Sequence, residues 1–87
     1  MVREIDGAKV IEFTALSNYG DVEYNNQEIV IIKRLVICNY DNKQQYYLFA
    51  CDDSFNVLGD TVHNSIEEAK TFAISYYNED DIRWIAI

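Results

Sequence analysis

Apolar and polar positions fall into two rhythms along this chain, and the rhythms separate one helix from a set of strands. Ile66, Ala69, Phe72, Ala73, Tyr76 and Tyr77 recur at three- and four-residue spacing. That spacing sets one apolar stripe on a helix over residues 65–78. Ser65 and Glu68 have the spacing of a capping box, in which the serine oxygen accepts from the backbone N–H three residues on and the glutamate reaches back. Glu67 suits the positive end of the helix dipole. Upstream, "YYLFAC" alternates with period two, placing Tyr46, Leu48 and Ala50 on one face and Tyr47, Phe49 and Cys51 on the other. "DDS" makes a short turn and "FNVLGDT" returns as the next strand, the strongest hairpin pattern in the chain.

The remaining segments are less regular. Residues 28–38 read as one strand, preceded by a tight turn at Asn25 and Asn26, since asparagine tolerates positive φ. Residues 29–32 have no polar face, so cover on both sides is expected. Lys33 and Arg34 then interrupt the run. Neighbouring strand residues point to opposite faces, so one of the two must snorkel along the margin of the core. Residues 10–18 fit either a strand or a helix, with β-branched and aromatic content favouring the strand. "IRWIAI" is a last strand or an extended tail, and residues 1–8 are expected to be loosely attached. With a small strand near Val22, the order is that of an α+β fold. It has a mostly antiparallel sheet of four to six strands with one principal helix packed on a face, in a single domain over residues 1–87.

Composition agrees with a folded chain: 87 residues, 49% hydrophobic and 25% charged, with no proline. Charge adds more. The formal net charge is -8. Residues 1–44 hold five basic and seven acidic groups, whereas residues 45–87 hold two and eight. That second half would repel a nucleic-acid backbone and attract a basic protein. The first residues lack the apolar run of a signal peptide, and no stretch nears the roughly 20 apolar residues that cross a bilayer. A cytoplasmic location, no membrane and no nucleic acid are the resulting expectations. Pairing residues 30–38 with 44–51 around Asp41 and Asn42 sets Cys38 opposite about residue 45 and Cys51 opposite about residue 32. The thiols are then too far apart to bridge, which fits two buried, reduced cysteines.

Candidate chemistry is sparse. His63, the only histidine, sits at the threshold of the helix with Asp60 nearby, but no nucleophile or oxyanion signature accompanies it. Asp52, Asp53 and Asp60 lack the ligand spacing of a calcium loop, and two separated cysteines with one histidine do not make a zinc site. Neither an enzyme activity nor a cofactor or metal is expected. The carboxylates themselves are the candidate feature. Glu79, Asp80 and Asp81 crowd the helix's carboxyl end, where negative charge is unfavourable to the dipole. Together with Asp52, Asp53, Asp60 and Glu67 they suggest a docking patch for a basic protein. Tyr46 is a neighbouring anchor that offers apolar contact and a hydrogen bond at once. Trp84, between Ile82 and Ile85, reads as a final packing staple.

The stretch "YYLFACDDSFNVLGDTVHNSIEEAKTFAISYY", followed by Trp84, resembles a pattern in small bacterial proteins. Its parts are an aromatic strand, a Cys-Asp turn, a returning strand ending in Asp-Thr, a histidine and a Ser-capped helix. In size, acidity and lack of a catalytic centre the chain is similar to immunity proteins of contact-dependent and polymorphic toxin systems. The resemblance covers residues 46–84. It implies a protein, monomeric or weakly dimeric, that binds and neutralises a cognate toxin domain, basic in charge and of the nuclease kind. The alternative is a small structural or regulatory protein-binding domain that associates with itself.

Overall fold

A computed structural model describes residues 2–40, 44–77 and 82–87. Its elements run β1 (Glu4–Ile5), β2 (Ala8–Thr14), β3 (Asp21–Glu23), β4 (Ile29–Ile31), β5 (Arg34–Asn39), β6 (Tyr46–Cys51), β7 (Val57–His63), α1 (Ile66–Tyr76) and β8 (Trp84–Ala86). All pairings are antiparallel. The main sheet runs β1-β2-β5-β6-β7, with β8 also on β2, and β3–β4 forms a separate two-stranded sheet. The α+β class, the antiparallel sheet and the single covering helix are as the hydrophobic pattern indicates.

The helix follows its sequence signals closely. Ser65 is the N-cap and its Oγ accepts from Glu68 N–H at 3.0 Å. The Glu68 carboxylate reaches back one residue further than a capping box requires and accepts from Asn64 N–H. Ala69 and Ala73 are fully buried, so only methyl groups separate the helix from the sheet. Ile66, Phe72 and Tyr77 flank them in a core with Leu35, Ile37, Leu48 and Ala50. Tyr76 departs from the expected stripe. It is 68% exposed and lies stacked on Phe72 at 5.0 Å.

The opposite face of the sheet is also filled. Val10, Val36, Cys38, Phe49 and Cys51 make a second cluster, closed by Phe13, Tyr40, Tyr47 and Phe55. No helix lies there among the described residues; the sheet curls over itself. Two bulges assist the bending, one between Val10 and Glu12 and one between Ala50 and Cys51. The first bulge moves Phe13 onto the face of Val10 and turns Glu12 to the helix side, where Lys70 Nζ meets its carboxylate at 2.8 Å. Arg34 is the snorkelling cation. Its guanidinium lies 4.7 Å from the Phe55 ring centre and 5.7 Å from that of Phe13, and Nη1 donates to Thr14 C=O.

Three expectations change. Within residues 1–8, expected to be loosely attached, the described segment Glu4–Ala8 is tied down: β1 pairs with β2, and Ile5 and Ala8 are buried. Asp6 (φ 51°) and Gly7 (φ 81°) form the two-residue turn between them. Residues 28–38 are two strands, not one. Ile32 N–H donates to Gly20 C=O, whereas Lys33 N–H donates to Cys51 C=O, so the chain changes sheets between adjacent residues. Cys38 faces Tyr47 and Cys51 faces Arg34, two residues from the expected register. A two-residue shift preserves the faces, and both thiols are buried and free. The turn expected at Asp41 and Asn42 lies outside the described residues.

Two outcomes test this packing. Ala73→Leu should destabilise the protein by about 1–3 kcal/mol through overpacking against the sheet, while the exposed Ile74→Leu should change it by less than ~0.5 kcal/mol; urea denaturation measures both. The second concerns the thiols. Burial pushes both up to about 12 from 9.0, with Cys51 and Asp6 adding to the rise of Cys38, and Asp52 and Asp6 adding to that of Cys51 against an opposing pull from Arg34. The unfolded chain ionises first, so the stabilisation is complete below pH 9.0 and is lost as pH rises towards 12. Cys38→Ala should therefore flatten the fall of Tm with pH in that alkaline window.

Candidate functional site

Among the described residues, the carboxylates singled out in the sequence do not converge. Asp52 and Asp53 sit in the β6–β7 turn, and Glu67 lies in the first turn of α1, beyond the other end of β7. A seven-residue strand separates those ends by about 20 Å. Asp60, midway along β7, pairs with Phe49 and stands on the sheet face away from the helix. Tyr46 pairs with His63 and packs into the helix-side core, so its ring is a half-buried structural contact. Glu79, Asp80 and Asp81 lie outside the described residues.

Asp52 is occupied by its own turn. Its Oδ1 accepts from Ser54 N–H and Asn56 N–H, both at 2.9 Å, and Oδ2 accepts from Asn56 Nδ2 at 3.0 Å. The slight burial of the carboxyl works to raise its pKa, but the bonds from Asn56 and Ser54 outweigh it and hold the group below 3.8. Phe55 takes the left-handed conformation here, φ 64°, and turns its ring onto Arg34. His63 is 8% exposed, with Nε2 2.7 Å from Thr61 Oγ1 and its ring 4.9 Å from Phe72. It seals the junction of β7 with α1. Among the described residues, no group of three or more His, Cys, Asp or Glu side chains is placed to hold a metal ion, and no helix is long and apolar enough to cross a membrane.

The surface that stands out is the β3–β4 hairpin. Residues 29–32 read as an apolar run covered on both sides, yet Ile29 is 59% exposed and Ile31 37% exposed. Only Ile32 is buried, at 5%, as a plug in the helix-side core. Val22 packs against that core, so the hairpin rests on its Val22–Val30 face. Its outer face carries two cross-strand pairs, Asp21 with Ile31 and Glu23 with Ile29. Each exposed isoleucine thus has a carboxylate directly opposite. Tyr24 and Glu28, both exposed, flank the turn, where Gln27 takes positive φ (67°) and Asn26 Oδ1 accepts from Glu28 N–H. From residue 20 to residue 32 the chain has three carboxylates and no lysine or arginine.

At its base the hairpin meets the end of α1. Tyr19, Gly20, Asp21, Ile32, Tyr76 and Tyr77 line a cleft of about 270 Å³. Tyr19 is buried and donates its hydroxyl to Ala15 C=O at 2.7 Å, which fixes the approach to the hairpin. Burial, reinforced by Tyr76 and Cys51, raises the pKa of Tyr77 above 10.0, leaving it a neutral hydrogen-bonding group. A second cleft of about 320 Å³ lies beside β8, between Arg3, Phe13, Ile85, Ala86 and Ile87.

Hydrophobic periodicity could not reveal the hairpin face, because an apolar run signals burial whether or not a neighbour exists to cover it. The available signal was charge. Asp21 and Glu23 are two residues apart, which puts both on one face of a short strand. Comparisons of the chain with protein-family models, curated proteins and solved structures returned no match.

Asp52→Ala should cost about 1 kcal/mol at neutral pH, the usual scale for lost turn hydrogen bonds. Because the folded pKa is depressed, this stabilisation is present above 3.8 and is lost as pH falls through the lower folded value. Thermal melts of wild type and variant should therefore differ at pH 7 and converge in strong acid.

Proposed function

We propose that this chain is a protein-binding domain that acts by stoichiometric occupancy, in the manner of an immunity protein that neutralises a cognate toxin domain. The observation that carries the proposal is the hairpin face, where Ile29 and Ile31 stand in solvent with Glu23 and Asp21 opposite them. Exposed apolar side chains beside charges of one sign favour a partner that is apolar and basic. The overall charge of -8 supports the same partner through long-range attraction. The resemblance over residues 46–84 supplies the inhibitory sense of the proposal. A basic nuclease domain is the partner class that joins these features.

Self-association is a second reading, and β7 favours it: this seven-residue strand has a neighbour only on its β6 side among the described residues. Asp60 lies at its midpoint. A symmetric antiparallel pairing centred there would oppose two Asp60 carboxylates, which is destabilising.

The test is affinity capture with the tagged full chain, identification of what is retained, and titration of the captured domain's own activity. The expected result is one basic domain whose activity falls to zero at one equivalent. Its association rate should drop steeply as salt is raised. Recovery of the chain alone, of a housekeeping complex, or of a domain fully active at saturation would sink the proposal.

A further inference from the structure

We infer that the outer edge of β4 is a strand-addition slot, and that it takes an extended basic segment of the partner. This deepens the reading of the hairpin given above and rests on it. The inference comes from the hydrogen-bond parity of the ladder. Tyr24 N–H donates to Glu28 C=O at 2.9 Å, and Ile32 N–H donates to Gly20 C=O at 2.8 Å. Hydrogen-bonded and non-hydrogen-bonded pairs alternate along an antiparallel ladder. The bonded pairs are therefore 20 with 32, 22 with 30, and 24 with 28. Asp21–Ile31 and Glu23–Ile29 are the pairs between them.

Residues of non-bonded pairs direct both backbone groups away from the partner strand. Ile29 and Ile31 thus present their N–H and C=O groups on the free edge of β4, in the same two residues whose side chains are exposed. The sheet has two strands among the described residues, and no third strand meets this edge. A two-stranded ribbon is marginally stable alone, so an added strand gains both backbone bonds and apolar cover.

The slot has a defined end. Lys33, the next residue of the same parity, donates its N–H to Cys51 C=O at 2.8 Å. The space beside β4 therefore begins where β6 stops, with the β6–β7 turn and the exposed Asp53 at its head. Along its length lie Ile29 and Ile31 on one face and Glu28 and Val30 on the other. A complementary strand carries apolar residues opposite the isoleucines and lysine or arginine on the alternate positions. Charge selects this occupant over a second copy of the chain. Two hairpins, each with three carboxylates and no internal cation, would repel on pairing.

The probe is a synthetic alternating lysine–valine octapeptide, N-methylated along one edge so that it cannot stack on itself, added to the full chain. Amide exchange and amide chemical shifts are read residue by residue. The expected result is saturable binding that slows exchange at the Ile29 and Ile31 amides at least tenfold. Methylating the other peptide edge, or the double substitution I29K/I31K, should abolish it. Circular dichroism and Tm serve to confirm that the double variant remains folded. No binding, or protection confined to β7 or α1, would overturn the slot. Repeating the exchange measurement with the captured basic domain separates the two proposals. Inhibition without protection at Ile29 and Ile31 overturns the slot and leaves the inhibitor reading standing. Protection there without inhibition does the reverse.

Discussion

The strand β5 has no solvent side, and the rest of the molecule follows from that. Leu35 and Ile37 are fully buried beneath the helix, while Val36 and Cys38 are fully buried on the opposite face. Both faces of one strand must be covered by a chain of 87 residues that forms a single principal helix. Helix α1 covers one face, and the alanines at 69 and 73 bring it close enough to exclude water. The other face is covered by curvature, with the bulges in β2 and β7 helping to fold the sheet's flanks inward. Aromatic rings then fill the concavity. Tyr47 meets Tyr40 and Phe49 edge-on at 5.3 and 6.1 Å, geometries that suit the ring quadrupoles.

That economy leaves little to cover anything else. Ile32 is drawn into the helix-side core, and the backbone changes sheets immediately after it. The β3–β4 hairpin is thereby held by one face only, and the isoleucines at 29 and 31 remain outside. Their exposure is a consequence of where the covering elements were used. It also places apolar groups beside carboxylates in a region whose strands have few neighbours. Elements of low local contact density are where proteins commonly meet partners, because docking there disturbs no core.

Much of the fold was legible because the strongest signals were local. The Ser65–Glu68 spacing and the apolar stripe located the helix. The alternation in β6 assigned its faces correctly, since burial on each face selects large apolar side chains. The Asp6–Gly7 pair is a two-residue hairpin signal of the same local kind, but the strand before it is only Glu4–Ile5, too short to show an alternation. The break after Ile32 was not legible. Its cause is a change of hydrogen-bond partner from Gly20 to Cys51, a non-local event. Lys33 and Arg34 mark the place in the apolar pattern, but an interruption of that kind reads equally well as a snorkelling cation within one strand. The candidate site suffered from a related limit. Carboxylates near in sequence, such as Asp52 and Glu67, are set apart by the length of a strand, and the first of them is consumed by its own turn. Asp21 and Glu23 attracted no notice because their significance depends on which residues face them.

The outer edge of β2 has a further consequence, for the order in which the molecule is completed. Its first half is paired by β1, whose residues precede it in the chain, and its second half by β8, whose residues come last among these elements. Glu12 pairs with Ala86, so this closure spans nearly the whole chain. Every other strand of the main sheet is synthesised before β8. A chain emerging from the ribosome therefore carries Glu12, Phe13 and Thr14 with one side of their backbone bare until the last strand is released. Closing so long a loop is entropically costly and kinetically late. Assembly of this sheet ends with β8 fastened onto one of its earliest strands, and until that moment the half-finished β2 edge stands open to a neighbouring nascent chain.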